Sequence, residues 1–323
     1  MSTDKIPQML TDVALIFPGQ GAQYVGMGKD LYEQYPAARD VFDKATAILK
    51  LDLKKLCFEG PQEELSTTKN SQPAILTASI AALKAFESTP LYQQYVPKFS
   101  LGLSLGEYTA LVAAGSISFE DALVLVRKRG EYMEDASKKT PGKMACVIGM
   151  ELKALEELCK GFGCEVANLN CPGQIVISGK TNNVELFAGL AKDKGAKRVV
   201  MLDVSGPFHS SFMTPARDKL KDYIDKVNFV APTLQFVSNV DAAIQIDPKV
   251  IKDNLIAQVN SKTMWEASIA LVAKSGIKTF LEIGPGQALK GLLKKTDPKL
   301  EVKNIGTTQD LTFTEGVVNG HVA

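Results

Sequence analysis

The feature that most restricts the fold is a serine held between two glycines, in the sequence GLSLG at residues 102–106. An apolar stretch at residues 99–103 predicts a buried strand, and residues 105–114 predict a helix that ends at Gly115. Glycines on both sides of Ser104 indicate a turn so tight that a side chain at either glycine position would not fit. The pattern therefore predicts a strand, a sharp turn and a helix, with the serine hydroxyl exposed at the amino end of that helix.

The chain of 323 residues is long enough for two subdomains, and the predicted elements divide in the same way. Residues 143–204 predict the order strand, helix, strand, strand, helix, strand, which is the ferredoxin-like pattern. We therefore expect an α/β fold with a large α/β-hydrolase-like subdomain at residues 1–140 and 210–323, which contains a parallel sheet and a nucleophile elbow. An inserted small ferredoxin-like α+β subdomain would occupy residues 141–209. The alternative is that the strands of the insert extend the main sheet.

The remaining elements are predicted from apolar periodicity and from glycine or proline at their ends. Strands are predicted at residues 13–17, 144–150, 165–170, 174–179, 198–204, 235–239, 279–283 and 302–305. Helices are predicted at residues 40–56, 74–86, 127–137, 151–161, 183–194 and 287–295. Residues 311–323 are polar and rich in small residues, which predicts a loose tail.

Charge and cysteine content exclude several classes of protein. Lys and Arg number 37 against 36 Asp and Glu, so the net charge of +1 gives no overall attraction to nucleic acid or membranes. No apolar run reaches the length of about 18 residues that predicts a spanning helix. The five cysteines are odd in number and form no C-x-x-C pair, so we expect buried thiols, a reducing compartment and no metal site. Because residues 1–10 lack an apolar signal core, we expect a cytoplasmic protein, or one of the plastid or mitochondrial matrix if a transit peptide was removed.

A serine nucleophile needs a general base, because the neutral hydroxyl is a poor nucleophile. The sequence has two histidines, His209 and His321. His321 lies in the predicted tail, whereas His209 lies at the end of the predicted insert, where it can face a cleft between the two subdomains. We therefore predict that His209 is the base for Ser104.

Several further motifs accompany this serine and histidine. They are FPGQG at residues 17–21, GLSLGE at 102–107, RG at 129–130 with Met133, PFH at 207–209 and EIGPG at 282–286. With these motifs in this order, the chain closely resembles malonyl-CoA:acyl-carrier-protein transacylases and the related acyltransferase domains of fatty acid and polyketide synthases. The resemblance extends from about Val13 to Thr307, which is nearly the whole chain.

The resemblance implies a role for each matching residue. Ser104 would carry the acyl group as an ester, His209 would act as general base and then as acid for the leaving thiol, and Arg129 would bind the malonyl carboxylate. A guanidinium suits this role, because it matches a carboxylate bidentately. The side chain of Gln20 and the backbone N–H of Leu105 would form the oxyanion hole.

Two positions depart from the family pattern. Leu103 stands where the family usually has a histidine. That histidine is not the general base, so the departure puts in doubt only the reactivity of the serine or the entry of substrate. Met264 stands where the family commonly has a glutamine, before the tryptophan that matches Trp265. In the family a backbone carbonyl at this position orients the catalytic histidine. We therefore expect the main chain of Met264 to supply that carbonyl to His209.

The resemblance implies an enzyme that transfers malonyl from malonyl-CoA to the phosphopantetheine thiol of acyl carrier protein, for fatty acid biosynthesis. Its partners would be the carrier protein and the coenzyme A thioester, with no cofactor, metal, nucleic acid or membrane, and the chain would be a monomer. Phe208 fits a malonyl preference, because its bulk would crowd a branched acyl group. Basic residues in two segments are candidate docking charges for an acidic carrier protein: Lys192, Lys194, Lys197, Arg198, Lys290, Lys294 and Lys295.

Three alternatives stay open at this point. They are a serine thioesterase or hydrolase on the same turn, an acyltransferase of polyketide synthesis, and a carrier-protein docking module without activity. Arg129 distinguishes the first, because a simple esterase needs no cation for a carboxylate. We also expect acylation to fall between about pH 8 and pH 5 as His209 becomes protonated, because only the neutral imidazole accepts the serine proton.

Overall fold

The structure is a computed structural model that describes residues 10–312, and these residues form two β-sheets surrounded by helices. The strands are β1 (Thr11–Phe17), β2 (Tyr95–Gly102), β3 (Gly142–Ile148), β4 (Cys164–Cys171), β5 (Gln174–Lys180), β6 (Arg198–Met201), β7 (Gln235–Val237), β8 (Ile244–Gln245), β9 (Thr279–Ile283) and β10 (Glu301–Ile305). The helices are α1 (Lys29–Gln34), α2 (Pro36–Leu49), α3 (Leu53–Glu59), α4 (Gln62–Leu65), α5 (Thr68–Glu87), α6 (Gly106–Ala113), α7 (Phe119–Lys139), α8 (Leu152–Phe162), α9 (Thr181–Leu190), α10 (Thr214–Ile224), α11 (Pro248–Gln258), α12 (Trp265–Lys274), α13 (Ala288–Thr296) and α14 (Thr308–Leu311).

The larger sheet has six strands in the order β10-β9-β1-β2-β7-β8. Its neighbouring strands are parallel, except for the short antiparallel pair of β7 and β8. The neighbouring strands β1 and β9 are mainly apolar and, apart from Thr11 and Asp12, buried, as expected for strands that helices cover on both faces. Because β1, β2 and β7 are parallel, their carboxyl ends meet at one edge of the sheet.

The smaller sheet has four strands in the order β4-β5-β3-β6, and all of its neighbouring pairs are antiparallel. Its elements follow one another as strand, helix, strand, strand, helix, strand, which is the order predicted for residues 143–204. A separate cluster of buried apolar side chains packs on this sheet. The alternative in which these strands extend the main sheet is therefore wrong.

Most predicted strands and helices are confirmed to within a few residues, but the helix predicted at residues 40–56 is two helices, α2 and α3. Helix α2 ends at Leu49, and the next residue, Lys50, has a left-handed backbone with φ of 50°. The carboxylate of Asp52 then caps α3 by accepting the N–H of Lys55 at 3.1 Å. Because the apolar spacing continues through the break, the periodicity alone missed it.

Helix α7 is longer than the predicted helix at residues 127–137. It begins after Ser118, whose hydroxyl accepts the N–H of Asp121 at 3.0 Å and so caps the first turn. The strand predicted at residues 198–204 ends earlier, at Met201. The predicted tail starts too early, because Leu311 is buried in α14, and residues 313–323 with His321 lie outside the described residues.

The predictions for the cysteines and for membrane-spanning helices can also be compared with the described residues. The five cysteines are buried and free, which confirms the prediction of buried thiols. None of the helices described here has the length and apolar character needed to cross a membrane.

The turn after β2 depends on two close backbone approaches. A Cβ atom at Gly102 would lie 2.1 Å from the backbone of Gly106, and a Cβ atom at Gly106 would lie 2.1 Å from the carbonyl oxygen of Phe17. Real Cβ atoms do not approach backbone so closely, so β1, β2 and α6 can pack in this way only with glycine at both positions. The two glycines thus fix where Ser104 lies relative to the larger sheet.

We predict that Gly106→Ala lowers the free energy of unfolding by about 1–3 kcal/mol or more, because the added methyl group overlaps backbone that cannot move freely. Urea unfolding measures the change. Gly161→Ala is the matched control, since a Cβ atom there meets nothing within 4 Å in helix α8 and alanine favours a helix by about 0.5–1 kcal/mol. Equal stability of the Gly106→Ala variant and the unmodified protein would contradict this packing.

Candidate active site

Ser104 lies in the turn between β2 and α6, with a left-handed backbone at φ of 54°. Few residues other than glycine adopt this conformation, so its presence indicates a turn held by its surroundings. The N–H of Ser104 donates to Oδ1 of Asn239 at 2.7 Å, and Nδ2 of Asn239 donates to the carbonyl of Gly102 at 2.7 Å. The Asn239 side chain therefore holds the turn from both sides.

His209 is the hydrogen-bond partner of this serine. Its Nε2 lies 2.7 Å from Oγ of Ser104, and its Nδ1 lies 2.9 Å from the carbonyl oxygen of Gln258. Because a carbonyl only accepts, Nδ1 carries the hydrogen and Nε2 is left as the acceptor for the serine proton. The pair has the geometry of a nucleophile and its general base.

The carbonyl that orients His209 belongs to Gln258, so the prediction that Met264 supplies it is wrong. Gln258 is the last residue of α11, and the last carbonyls of a helix have no partner within the helix. The carbonyl of Met264 is already used, because it accepts the N–H of Ser268 at 3.0 Å at the start of α12. A free helix end therefore supplies the acceptor.

The pKa of His209 is lowered from its ordinary value of 6.5 to about 4, chiefly by burial and also by the positive charge of Arg129. Hydrogen bonds to the backbone act in the opposite direction and are outweighed. The imidazole is thus neutral at neutral pH, as a general base must be. The fall in acylation that we expected between about pH 8 and pH 5 moves to lower pH, because that range assumed an ordinary histidine.

Arg129 comes from α7 and is buried, with 1% of its surface exposed. Its Nη2 donates to Oγ of Ser104 at 3.0 Å and to Oε1 of Gln258 at 2.8 Å, and its Nη1 donates to Oε1 of Gln72 at 2.9 Å. No carboxylate within residues 10–312 forms an ion pair with this guanidinium, and its Nε has no acceptor there. Burial lowers the pKa of Arg129, but a guanidinium stays charged in proteins. The site therefore contains a buried cation without a directly contacting anion.

A cavity of about 180 Å³ lies above Ser104 and His209, between the two sheets. Gly19, Gln20 and Leu103 line it from the larger sheet, and Phe208 is also in its wall. The smaller sheet supplies Met144, Asn168 and Val176. Residues that are distant in the sequence thus meet around one small, mainly apolar space.

The two residues predicted for the oxyanion hole lie beside this serine. The Gln20 amide lines the cavity, and its Nε2 donates only a long bond of 3.4 Å to Oγ1 of Thr68. The N–H of Leu105, at the start of α6, has no acceptor among the described residues. Neither donor is therefore fully used by the described residues, and Gln20 lines the same cavity as Ser104.

The sequence reasoning gave no role to three polar residues of this site. Asn239 had a weak signal, since it is the last residue of a predicted strand, and the carboxyl end of that strand faces the same edge as Ser104. Gln72 and Gln258 gave no signal, because they are ordinary helical residues until packing buries them. Among the described residues, no group of three or more His, Cys, Asp or Glu side chains could hold a metal ion.

Known proteins are similar to this chain in sequence and in structure. The acyl transferase domain family matches residues 14–308. The malonyl CoA-acyl carrier protein transacylase of Bacillus subtilis (strain 168) is 48% identical over 297 residues, which cover 90% of this chain and 92% of that relative. The acyl-carrier-protein-S-malonyltransferase from Bartonella henselae has a TM-score of 0.88 at 39% identity, covering 94% of this chain and 97% of that chain.

A further solved structure contains a partner. It is a holo type II PKS acyl-carrier protein in complex with its malonyl-transacylase, with a TM-score of 0.88 at 36% identity, covering 93% of this chain and 98% of that chain. These matches extend over nearly the full length on both sides. The chain therefore belongs to the acyl transferase domain family and, within it, to the malonyl CoA-acyl carrier protein transacylases.

Proposed function

We propose that this protein transfers malonyl from malonyl-CoA to the phosphopantetheine thiol of acyl carrier protein, and so supplies the extender unit for fatty acid biosynthesis. The observation that carries the proposal is the buried guanidinium of Arg129, which has no carboxylate partner within residues 10–312 and contacts the oxygen of a serine that is hydrogen-bonded to a neutral histidine. A hydrolase of neutral esters has no use for such a cation. An enzyme that selects a carboxylated acyl group requires one.

In the first half-reaction, Nε2 of His209 takes the proton of Ser104 while Oγ attacks the thioester carbonyl carbon. The C–S bond of the tetrahedral intermediate then breaks, and the proton on His209 passes to the departing coenzyme A thiolate. In the second half-reaction the histidine takes the proton of the pantetheine thiol, whose sulfur attacks the ester, and returns that proton to Oγ. The two halves mirror each other, so the reaction is reversible and ping-pong.

The negative oxygen of each tetrahedral intermediate needs donors on the cavity side of the serine. We assign this role to the side chain of Gln20 and the backbone N–H of Leu105, because both are adjacent to Ser104 and neither is fully used by the protein. Each donor of this kind contributes about 3 kcal/mol to stabilising the transition state. Arg129 binds the malonyl carboxylate and keeps the acyl group ordered until the thiol arrives, which favours transfer over hydrolysis.

We further propose that residues 1–140 and 210–323 form an α/β-hydrolase-like subdomain and that residues 141–209 form an inserted ferredoxin-like subdomain. The separate sheets, the apolar cluster formed by residues of the insert alone and the strand order β4-β5-β3-β6 support this division. The cleft between them would receive the phosphopantetheine arm.

The other parts of the proposal concern partners and location. No cofactor or metal would be required, and the chain would act as a monomer in the cytoplasm or in an organelle matrix. The candidate docking charges Lys192, Lys194, Lys197 and Arg198 are exposed, as an acidic carrier protein requires. Lys294 and Lys295 are weaker candidates, because their ammonium groups also bond to Leu300 and Gln174 within the chain.

We predict that malonyl-CoA converts the protein to a form heavier by one malonyl group, because the ester on Ser104 forms before any acceptor thiol is present. Intact-mass spectrometry measures the adduct. Ser104→Ala is expected to abolish it, whereas Ser205→Ala, which changes a nearby hydroxyl that contacts Thr68 at 2.7 Å, is expected to retain it. An adduct that persists in Ser104→Ala would overturn the assignment of the nucleophile, and no adduct on the unmodified protein would overturn the proposed function.

We predict that Arg129→Ala reduces the preference for malonyl-CoA over acetyl-CoA by about 10- to 100-fold, since a charge-assisted hydrogen bond is worth about 1.5–3 kcal/mol. The ratio of the two acylation rates measures this effect. Arg127→Ala is the control on the same helix, because Arg127 pairs with Glu131 at 2.7 Å and does not contact the site. A ratio equal in both variants would favour the hydrolase alternative.

We predict that the His209 imidazole titrates near pH 4 in the folded protein, because its burial and the nearby guanidinium disfavour the charged ring. Nitrogen NMR of a His321→Gln variant observes this ring alone. The same shift removes folding free energy as the pH falls from about 6.5 to about 4, since the unfolded chain binds the proton first. Titration near pH 6.5, as in an exposed histidine, would show that the ring is not buried in this way.

A further inference from the structure

We propose that Glu107 is a positioning residue, which fixes the direction of the Gln258 side-chain amide and thereby holds both Arg129 and His209 in place. The inference goes beyond the proposed function, which gives this residue no role. The inference rests on the proposed function only in one measurement of its test, the rate of malonyl-serine formation.

Glu107 is a buried carboxylate that does not line the cavity and contacts no basic side chain among residues 10–312. It lies in the first turn of α6 with 1% of its surface exposed. Its Oε1 accepts the N–H of Asn239 at 3.0 Å, and its Oε2 accepts Nε2 of Gln258 at 2.5 Å. Burial raises the pKa of Glu107 to about 7, and it outweighs these two donors, a hydrogen bond with Ser238 and the charge of Arg129, which act in the opposite direction. The molecule thus keeps a costly buried carboxyl at the back of the site.

The side-chain amide of Gln258 has two different ends, and its neighbours fix which way it points. Its Nε2 donates to Glu107 and to the carbonyl of Ser104 at 2.7 Å, and its Oε1 accepts from Nη2 of Arg129 at 2.8 Å. A guanidinium only donates, a backbone carbonyl only accepts, and Glu107 only accepts in its ionised form. The reversed amide would therefore place donor against donor at Arg129 and acceptor against acceptor at Glu107.

The main chain of the same residue holds the base. The carbonyl of Gln258 accepts Nδ1–H of His209 at 2.9 Å, so the side chain and the backbone of one residue serve the two groups that flank Ser104. Glu107 also receives the backbone N–H of Asn239, whose amide clamps the turn around the serine. One carboxylate is therefore connected, through two amide residues, to the nucleophile, the base and the cation.

The test replaces the carboxylate with an amide of the same shape. In Glu107→Gln, the new amide must present N–H groups either to the N–H of Asn239 or to Nε2 of Gln258, which are both donors, so the hold of residue 107 on one of them is lost. Glu282→Gln is the matched control. Glu282 is equally buried and accepts the backbone N–H groups of Leu289 and Lys290 at 2.9 Å each, but it has no contact with the site.

Two readouts separate positioning from mere structural support. The first is the NMR signal of Nδ1–H of His209 in a His321→Gln background, which reports the bond to the Gln258 carbonyl. The second is the rate of malonyl-serine formation per folded molecule, together with the malonyl-to-acetyl ratio. Both variants are expected to lose stability. Only Glu107→Gln is expected to shift the histidine signal, to slow acylation by about 10-fold or more and to lower the ratio.

The inference is overturned if Glu107→Gln keeps the histidine signal, the rate and the ratio of Glu282→Gln. If Glu107→Gln does not fold, Gln258→Met carries the test, since it keeps the carbonyl and removes the amide. That variant is expected to show the same changes, and an unchanged histidine signal and ratio would overturn the inference. A protein that never forms malonyl-serine would refute the proposed function, while the histidine signal would still decide the role of Glu107.

Discussion

The constraint on which the site depends is a buried positive charge that contacts no carboxylate of the part of the chain described by the structure. Removing a guanidinium from water is costly unless its hydrogens are bound, and here amide oxygens from Gln72 and Gln258 and the oxygen of Ser104 bind them. These neutral acceptors hold Arg129 without neutralising it. The same uncompensated charge helps to keep His209 neutral, so the cation that would select the acyl group also maintains the base.

The two sheets contribute different parts of this arrangement. The larger, mainly parallel sheet brings the carboxyl ends of β1, β2 and β7 together, which places Gly19, Ser104 and Asn239 at one edge. The smaller sheet closes the cavity from the other side and leads directly into the segment that carries His209. A nucleophile on one sheet and a base at the end of the insert require both parts to pack in one relative position. The hydroxyl of Ser178 donates to the carbonyl of Phe208 at 2.5 Å, which attaches the residue before the base to the smaller sheet.

The sequence was sufficient for the parts of the site that depend on local rules. A glycine-flanked serine between an apolar strand and a helix predicts the turn at Ser104, and the scarcity of histidine pointed to His209. It was insufficient where the role depends on which backbone groups remain free after packing. The sequence offers several backbone carbonyls that could accept the hydrogen bond of His209. Only the structure shows that the carbonyl of Gln258, at the end of α11, is free for this bond, whereas the carbonyl of Met264 is already used within α12. The helix break at Lys50 was missed for a related reason, because a left-handed residue leaves the apolar spacing intact.

The backbones of the two reacting residues share one property, a φ of 54° at both Ser104 and His209. This conformation costs a residue other than glycine about 1–3 kcal/mol, and the surrounding hydrogen bonds maintain it. Glycine at either position would relax the chain and remove the reacting group at the same time. Among variants of this protein, resistance to heat is therefore a poor guide to turnover, and a screen for thermal tolerance alone would enrich sequences that have lost their chemistry.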